Sequence, residues 1–284
     1  MEQNCPSQTA LRVATHRAIH QILDIPRIFD DSLALRVLGL NVESLSELAQ
    51  QQQKEAPYSH ILRASLAARS RYAEDELRLT IQQGITQYVI LGAGLETFAY
   101  RNPYPESTLH VFEADHPATQ AWKQLRLKET SIPVPRTLTY APIDFETQTL
   151  TDGLLQAGFD TRKRSFFSWL GVSMYLSHNA INSTLQFVAS LPVGSSIVFD
   201  YMISPSLLSP LARKAFDSLS YHVALAGEPF QSCFEPSFLR DSLLAMGFVQ
   251  AKDVGPEEMD GRYFRDRADN LRFGKLTHMM NVRV

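Results

Sequence analysis

Along the chain the spacing of apolar residues changes once, near residue 84. Before it they recur every three to four positions; after it, short continuous apolar runs alternate with helix-length stretches. Residues 9–23 set Leu11, Ala14, Ala18 and Ile22 at helical spacing, and Pro26 ends that run. Asp30-Asp31-Ser32 offers caps for a short helix through Leu33, Leu35 and Leu38, stopped by Gly39. A more polar piece, 43–57, reads as an exposed helix and surface loop closing at Pro57. Tyr58 to Gly84 is long and helix-like, with Ile61, Leu62, Leu66, Ala67, Ala73, Leu77, Leu79 and Ile81. The segment 1–84 is therefore expected as a helical cover over one end of a sheet.

The sheet begins with Gln87-Tyr-Val-Ile-Leu91, an apolar run that fits a strand buried on both faces. Further strands are expected at His110-Val-Phe112, Leu138 to Ile143, Ser165 to Leu170 and Ser196 to Tyr201, with weaker ones at 247–251 and 278–284. Helices fit between them at 117–129, 150–157, 178–190 and 236–246. Such alternation predicts an α/β fold with a doubly wound, largely parallel sheet in a single domain, 1–284. Between strand five and the next helix, residues 202–236 are too long for a plain connection and rich in apolar residues. They are expected to fold down as a cap insertion.

Ligands of such sheets lie beyond the carboxyl ends of the strands. There the first strand runs into Gly92-Ala93-Gly94, a turn whose glycines let the backbone bend tightly and approach a ligand. Leu95 to Tyr100 is helix-compatible. About twenty residues on, the second strand ends in Glu113-Ala-Asp115, an acid at the spacing that grips the ribose hydroxyls of a nucleoside. Thr97 stands where a dinucleotide fingerprint has its third small residue, and no Gly-Lys-Ser/Thr serves a triphosphate. A glycine turn with an acid and no phosphate apparatus suits S-adenosyl-L-methionine. A plain strand-to-helix turn is the alternative.

Composition narrows the field further. At 284 residues, 44% hydrophobic and 20% charged, the chain is ordinary for a globular protein, and a net charge of −3 gives no electrostatic case for nucleic acid. No apolar run approaches the length of a membrane span, and the first residues lack the basic and apolar regions of a signal peptide, so a cytoplasmic location is expected. Cys5 and Cys233 are too few for a disulfide framework and read as free thiols. The eight histidines show no metal-ligand pattern.

Several stretches together resemble the leucine carboxyl methyltransferase family. They are Thr9-Ala-Leu, Arg17-Ala, Phe29 to Leu35, Ser70-Arg71-Tyr72, Tyr88 to Arg101, Phe112 to Pro117, Trp169 to Leu176 and Arg262 to Asp269. The branch they resemble most is that of bacterial S-adenosyl-L-methionine-dependent O-methyltransferases, including polyketide carboxyl O-methyltransferases of secondary metabolism. The resemblance implies a class I methyltransferase sheet of seven strands, the last antiparallel, with the N-terminal helices covering the site. It also implies roles: Gly92, Ala93 and Gly94 under the methionine part of the cofactor, Glu113 or Asp115 on the ribose, Asp144 and Phe145 flanking the adenine. Arg71 would reach a carboxylate of cofactor or substrate, and Tyr175 would stand at the substrate end of the fourth strand. Leu170 lies beside the cofactor where relatives often have Glu, so a polar contact there is absent or supplied elsewhere.

The expected activity is methyl transfer to a carboxylate or hydroxyl of a small molecule with an apolar or aromatic body. A carboxylate is already anionic and needs a cation to orient it, a task for Arg71, whereas a hydroxyl needs a general base. Asp200-Tyr201 ends the fifth strand facing the cap, which makes Tyr201 a candidate for the substrate pocket. His116 reads as a helix-start residue beside the cofactor. A nucleotide-dependent oxidoreductase using NAD(P) and a non-catalytic cofactor-binding partner are the alternatives; Thr97 weighs against the first. A homo-oligomer is compatible with the sequence, which does not fix the acceptor.

Overall fold

The computed structural model describes residues 7–55, 59–144 and 147–284. Cys5, Pro57, Tyr58 and Phe145 lie outside the described residues. A seven-stranded sheet runs β1 (Gln87–Leu91), β2 (His110–Asp115), β3 (Leu138–Pro142), β4 (Ser165–Trp169), β5 (Ser196–Met202), β6 (Gln250–Val254) and β7 (Thr277–Arg283). Their spatial order is β3-β2-β1-β4-β5-β7-β6. The pairs among β1 to β5 are parallel, and β7 is antiparallel to both its neighbours, as the resemblance implies.

Strand pleat divides the core into two layers. Phe112, Phe167, Ile197, Phe199 and Tyr201 face one side with α6 (Leu150–Gln156), α7 (His178–Ala189) and α9 (Pro236–Ala245). Tyr88, Ile90, Val111, Phe166 and Val198 face the other, against α4 (Ser59–Gln82) and α10 (Pro256–Tyr263). Successive residues of a strand point to opposite faces, so Phe166 and Phe167 belong to different layers. A third cluster joins α1 (Gln8–Leu23), α2 (Ala34–Leu38), α3 (Val42–Glu55) and α5 (Pro117–Glu129).

Charge fixes that N-terminal cover to the sheet. Arg17 donates to Glu96 and Asp31, and Arg101 pairs with Glu74, all largely buried and stacked on Phe29. Glu96 also accepts the amides of Thr97 and Phe98. The helix-compatible segment after the glycine turn forms one 3-10 turn, Phe98–Tyr100. Farther along, Arg63 grips Asp24 through two hydrogen bonds, and His20 donates to it from Nδ1 while its Nε2 accepts the amides of Ile28 and Phe29.

Burial alone would raise Asp24, but the hydrogen bonds from Arg63 and His20 outweigh it and hold the carboxyl at about 2. A carboxyl depressed when folded stabilises the fold above its unfolded value, and that stability disappears as pH falls through the folded value. Between pH ~4 and pH ~2 this one group should cost the protein about 2 kcal/mol. Urea titrations across that range should show a shallower loss of stability for Asp24→Asn than for the wild type, and parallel curves would contradict the assignment.

Two helices escaped the sequence pattern. The cap contains α8 (Pro210–Leu225), with Ser209 capping the amide of Ala212 and Pro210 opening the first turn. Within it only Phe216 and Val223 are buried, too few to show periodicity. Similarly α10 buries only Met259 and is otherwise polar. The segment 230–234 ties the cap back to the sheet: Phe234 donates to the Met202 carbonyl, and Gln231 to that of Met174. Among the described residues no helix is long and apolar enough to cross a membrane.

Candidate functional site

The carboxyl ends of the parallel strands β1, β2, β4 and β5 lie at one edge of the sheet, where the ligand crevice of such a fold is expected. Gly92 and Gly94 take positive φ angles of 65° and 47°, and a Cβ on Gly92 would run into Val172. Gly94 is capped from the next strand, its amide donating to Asp115 Oδ2 at 2.5 Å. Asp115 Oδ1 accepts the amide of His116, which in turn caps α5 by accepting the amide of Ala118. Burial pushes the Asp115 carboxyl up, and the two amides oppose that shift. Ala93 is buried in the turn between them.

The two acids at the end of β2 part company. Both point to the same face, but Glu113 is fully enclosed, with Oε2 accepting from Lys123 Nζ at 2.7 Å and from the Tyr100 hydroxyl at 3.3 Å. Burial raises its carboxyl against the pull of Lys123. Asp115, at the strand tip, stays partly open. Each of its oxygens retains a lone pair beyond the amide it accepts. Asp144 follows β3 and accepts the amides of Thr147 and Gln148 through its carbonyl. Leu170 is half-buried against the Tyr88 layer.

Arg71 is not in the crevice. Its side chain is 43% exposed, paired with Asp75 at 3.0 Å on the flank of α4, beside Tyr263 and Arg262. Arg69, two residues earlier, instead reaches the end of β5. Nη1 of Arg69 donates to Asp200 Oδ2 at 2.8 Å, and Nη2 lies 2.6 Å from where a Cβ on Gly171 would stand. The reason is helical phase: two residues turn a side chain about 200° around the axis. Arg69 also falls in register with the apolar stripe Leu62, Leu66, Ala73, Leu77, whereas Arg71 does not. A cation inside an apolar stripe was the available signal.

Tyr201 is a second correction. It is fully buried in the opposite layer, packed on Phe234, and its hydroxyl donates to Asp253 at 2.6 Å. Period-two alternation allows only one of two adjacent strand residues to face the crevice, and that one is Asp200. Asp200 accepts from the Gly171 amide as well as from Arg69, and its carbonyl accepts from Ser173. Tyr175 does lie here, tilted on Phe230 of the cap at 5.5 Å and facing Thr9. Burial pushes its phenol up to about 12, so it is a donor at neutral pH.

Three groups at this end went unrecognised in the sequence because long-range folding alone assembles them. Ala10 of α1 sits on Gly94. Ser7 donates to Glu228 Oε1 at 2.7 Å, linking the start of α1 to the end of the cap helix. Glu228 Oε2 is buried without a hydrogen-bond partner, and its charge reaches Tyr175.

The sequence model of a family described as leucine carboxyl methyltransferase matches residues 10–189. YktD of Bacillus subtilis strain 168, a candidate S-adenosyl-L-methionine-dependent methyltransferase, is 33% identical, the alignment covering 99% of each chain. A candidate methyltransferase of the same description from Parafrankia sp. strain EAN1pec is 32% identical over 60% of this chain and 54% of its own. Among solved structures, a candidate methyltransferase from Thermobifida fusca YX superposes with a TM-score of 0.54 at 18% identity, covering 91% of this chain and 94% of its own. A DUF574 family protein from Streptomyces avermitilis gives 0.53 at 14% identity over 87% and 94%. At such identities the two structures speak for the fold alone.

Proposed function

The chain belongs to the leucine carboxyl methyltransferase family and is an S-adenosyl-L-methionine-dependent methyltransferase; from that premise we propose that it methylates the carboxylate oxygen of a small apolar or aromatic acid. The observation that carries the carboxylate is Arg69. Among the described residues this largely buried guanidinium hydrogen-bonds one partner, Asp200, through Nη1, and its charge reaches Tyr175.

The crevice suits the cofactor. Gly92 and Gly94 keep the turn free of side chains, Asp115 has lone pairs left for ribose hydroxyls, and Asp144 lies at the neighbouring strand end where the adenine would be flanked. Leu170 offers apolar surface nearby, which fits the lack of an acid at that position. S-adenosyl-L-methionine brings a methyl group already activated on a sulfonium, so the protein's task is alignment, worth up to about 7–11 kcal/mol in favourable systems. Arg69 orients the acceptor carboxylate through its unused donors, and Tyr175, protonated at neutral pH, donates to a second oxygen. The cap and α1 meet at this end through Ser7 and Glu228.

A second reading rests on Glu228. Its unpartnered Oε2 is the kind of acceptor that takes a proton from a hydroxyl, which would make the substrate an alcohol or phenol. Glu228→Gln separates the two. Formation of S-adenosylhomocysteine with carboxylic acids should stay within about threefold of wild type, since a carboxylate needs no base. If instead phenols are the better substrates and the variant loses about a hundredfold with them, the hydroxyl reading replaces the carboxyl one.

A further inference from the structure

A cleft of about 520 Å³ lies between the N-terminal cover and the cap, lined by Leu11, Leu38, Leu40, Leu48, Val223 and Ala226. Among the described residues no side chain fills it, and Leu48 stays 39% exposed on its wall. The cleft adjoins the reaction site at Thr9, which lines it and also hydrogen-bonds the Tyr175 phenol. Polar groups stand with this apolar lining: Arg12, Thr15 and His222, besides Gln8. An amphiphile with its carboxylate on Arg69 and Tyr175 therefore has apolar surface to enter beyond Thr9, flanked by the two elements that Ser7 and Glu228 hold together. We infer that this cleft binds the tail of the acceptor, and that the acceptors are acids carrying an extended aliphatic chain.

Volumes of this order are typical of small-molecule sites. Burying a methylene in such a cleft tightens binding about fourfold, so affinity should climb with chain length until the cleft is full. The inference rests on the carboxyl reading of the site, but its test does not depend on turnover.

The probes are straight-chain saturated acids from butanoate to dodecanoate, titrated by calorimetry into protein loaded with S-adenosylhomocysteine. Dodecanoate should bind at least a hundredfold more tightly than butanoate. Ala226→Trp, which fills the cleft, and Leu48→Glu, which charges it, should each cut that ratio at least tenfold. Leu211→Trp, on an exposed position of the cap helix outside the cleft, should leave the ratio intact. Binding that ignores chain length, or a ratio untouched by both cleft variants, overturns the inference. Chain-length-dependent binding without methyl transfer sustains the cleft and counts against the carboxyl reaction instead.

Discussion

Replacing Arg69 by Ala is expected to lower kcat/KM by about two to four orders of magnitude, while Arg71→Ala changes it by less than about threefold. The estimate follows from two charge-assisted hydrogen bonds at about 1.5–3 kcal/mol each, with about 1.4 kcal/mol per decade. Arg71 already has its carboxylate in Asp75, at an exposed position where such pairs contribute little. Arg69→Ala also leaves Asp200 buried without its cation, so thermal melting must accompany the assay. Arg69→Lys keeps the charge but not the forked geometry and should recover only part of the activity. The loss should appear in the acceptor KM, with the affinity for S-adenosylhomocysteine retained. The opposite split would put the cofactor's own carboxylate on Arg69, and full activity in Arg69→Ala would remove it from the site.

Lys123→Met should be the most damaging single change to stability near the crevice. The ammonium is 1% exposed and lies 2.7 Å from a carboxylate with no exposure at all, with the Tyr100 ring 5.2 Å away. Removing it strands Glu113 in the interior, at about 3–5 kcal/mol. That corresponds to a fall in Tm of roughly 6–20 °C for a chain of this size. Burial already raises Glu113, and without Lys123 it rises further. A carboxyl raised in the folded state weakens the fold above its folded value, and the deficit disappears as pH falls below the unfolded value of about 4.3. Lys123→Met should therefore approach wild-type stability in acid, and the double variant Glu113→Gln/Lys123→Met should recover most of the loss at pH 7. A deficit independent of pH would mean that lost packing, and not a stranded charge, is responsible.

What the sequence revealed and what it hid follow from one distinction. Strand runs such as Gln87–Leu91 and Ser165–Trp169 are buried on both faces, so their composition alone marks them, and the strand order follows once the resemblance is seen. Gly92, Gly94 and Asp115 were equally legible, because a turn and a strand tip are local features with fixed spacing. Direction of a side chain around an axis was not: Arg69 against Arg71, and Asp200 against Tyr201, are each decided by phase within an element. The motif match to Ser70-Arg71-Tyr72 pointed to an arginine that lies on the flank of α4 with Asp75, whereas the apolar stripe through Leu66 and Ala73 marks Arg69 as the one directed at Asp200. Glu228 and Ser7 are 221 residues apart and meet only because the cap folds onto α1, which no local pattern records. Glu113 reads in the sequence as half of a ligand-binding pair, and its burial beside Lys123 comes from a residue ten positions on that no local pattern links to it.

The proposed reaction requires an adenosyl group held between the glycine turn and the tip of β2. Calorimetry with S-adenosylhomocysteine on the wild type and on Asp115→Ala tests this most directly. One saturable site, weakened roughly ten- to hundredfold by the substitution, is the predicted result. Equal affinity in the two proteins would contradict it, as would displacement of the ligand by NADH.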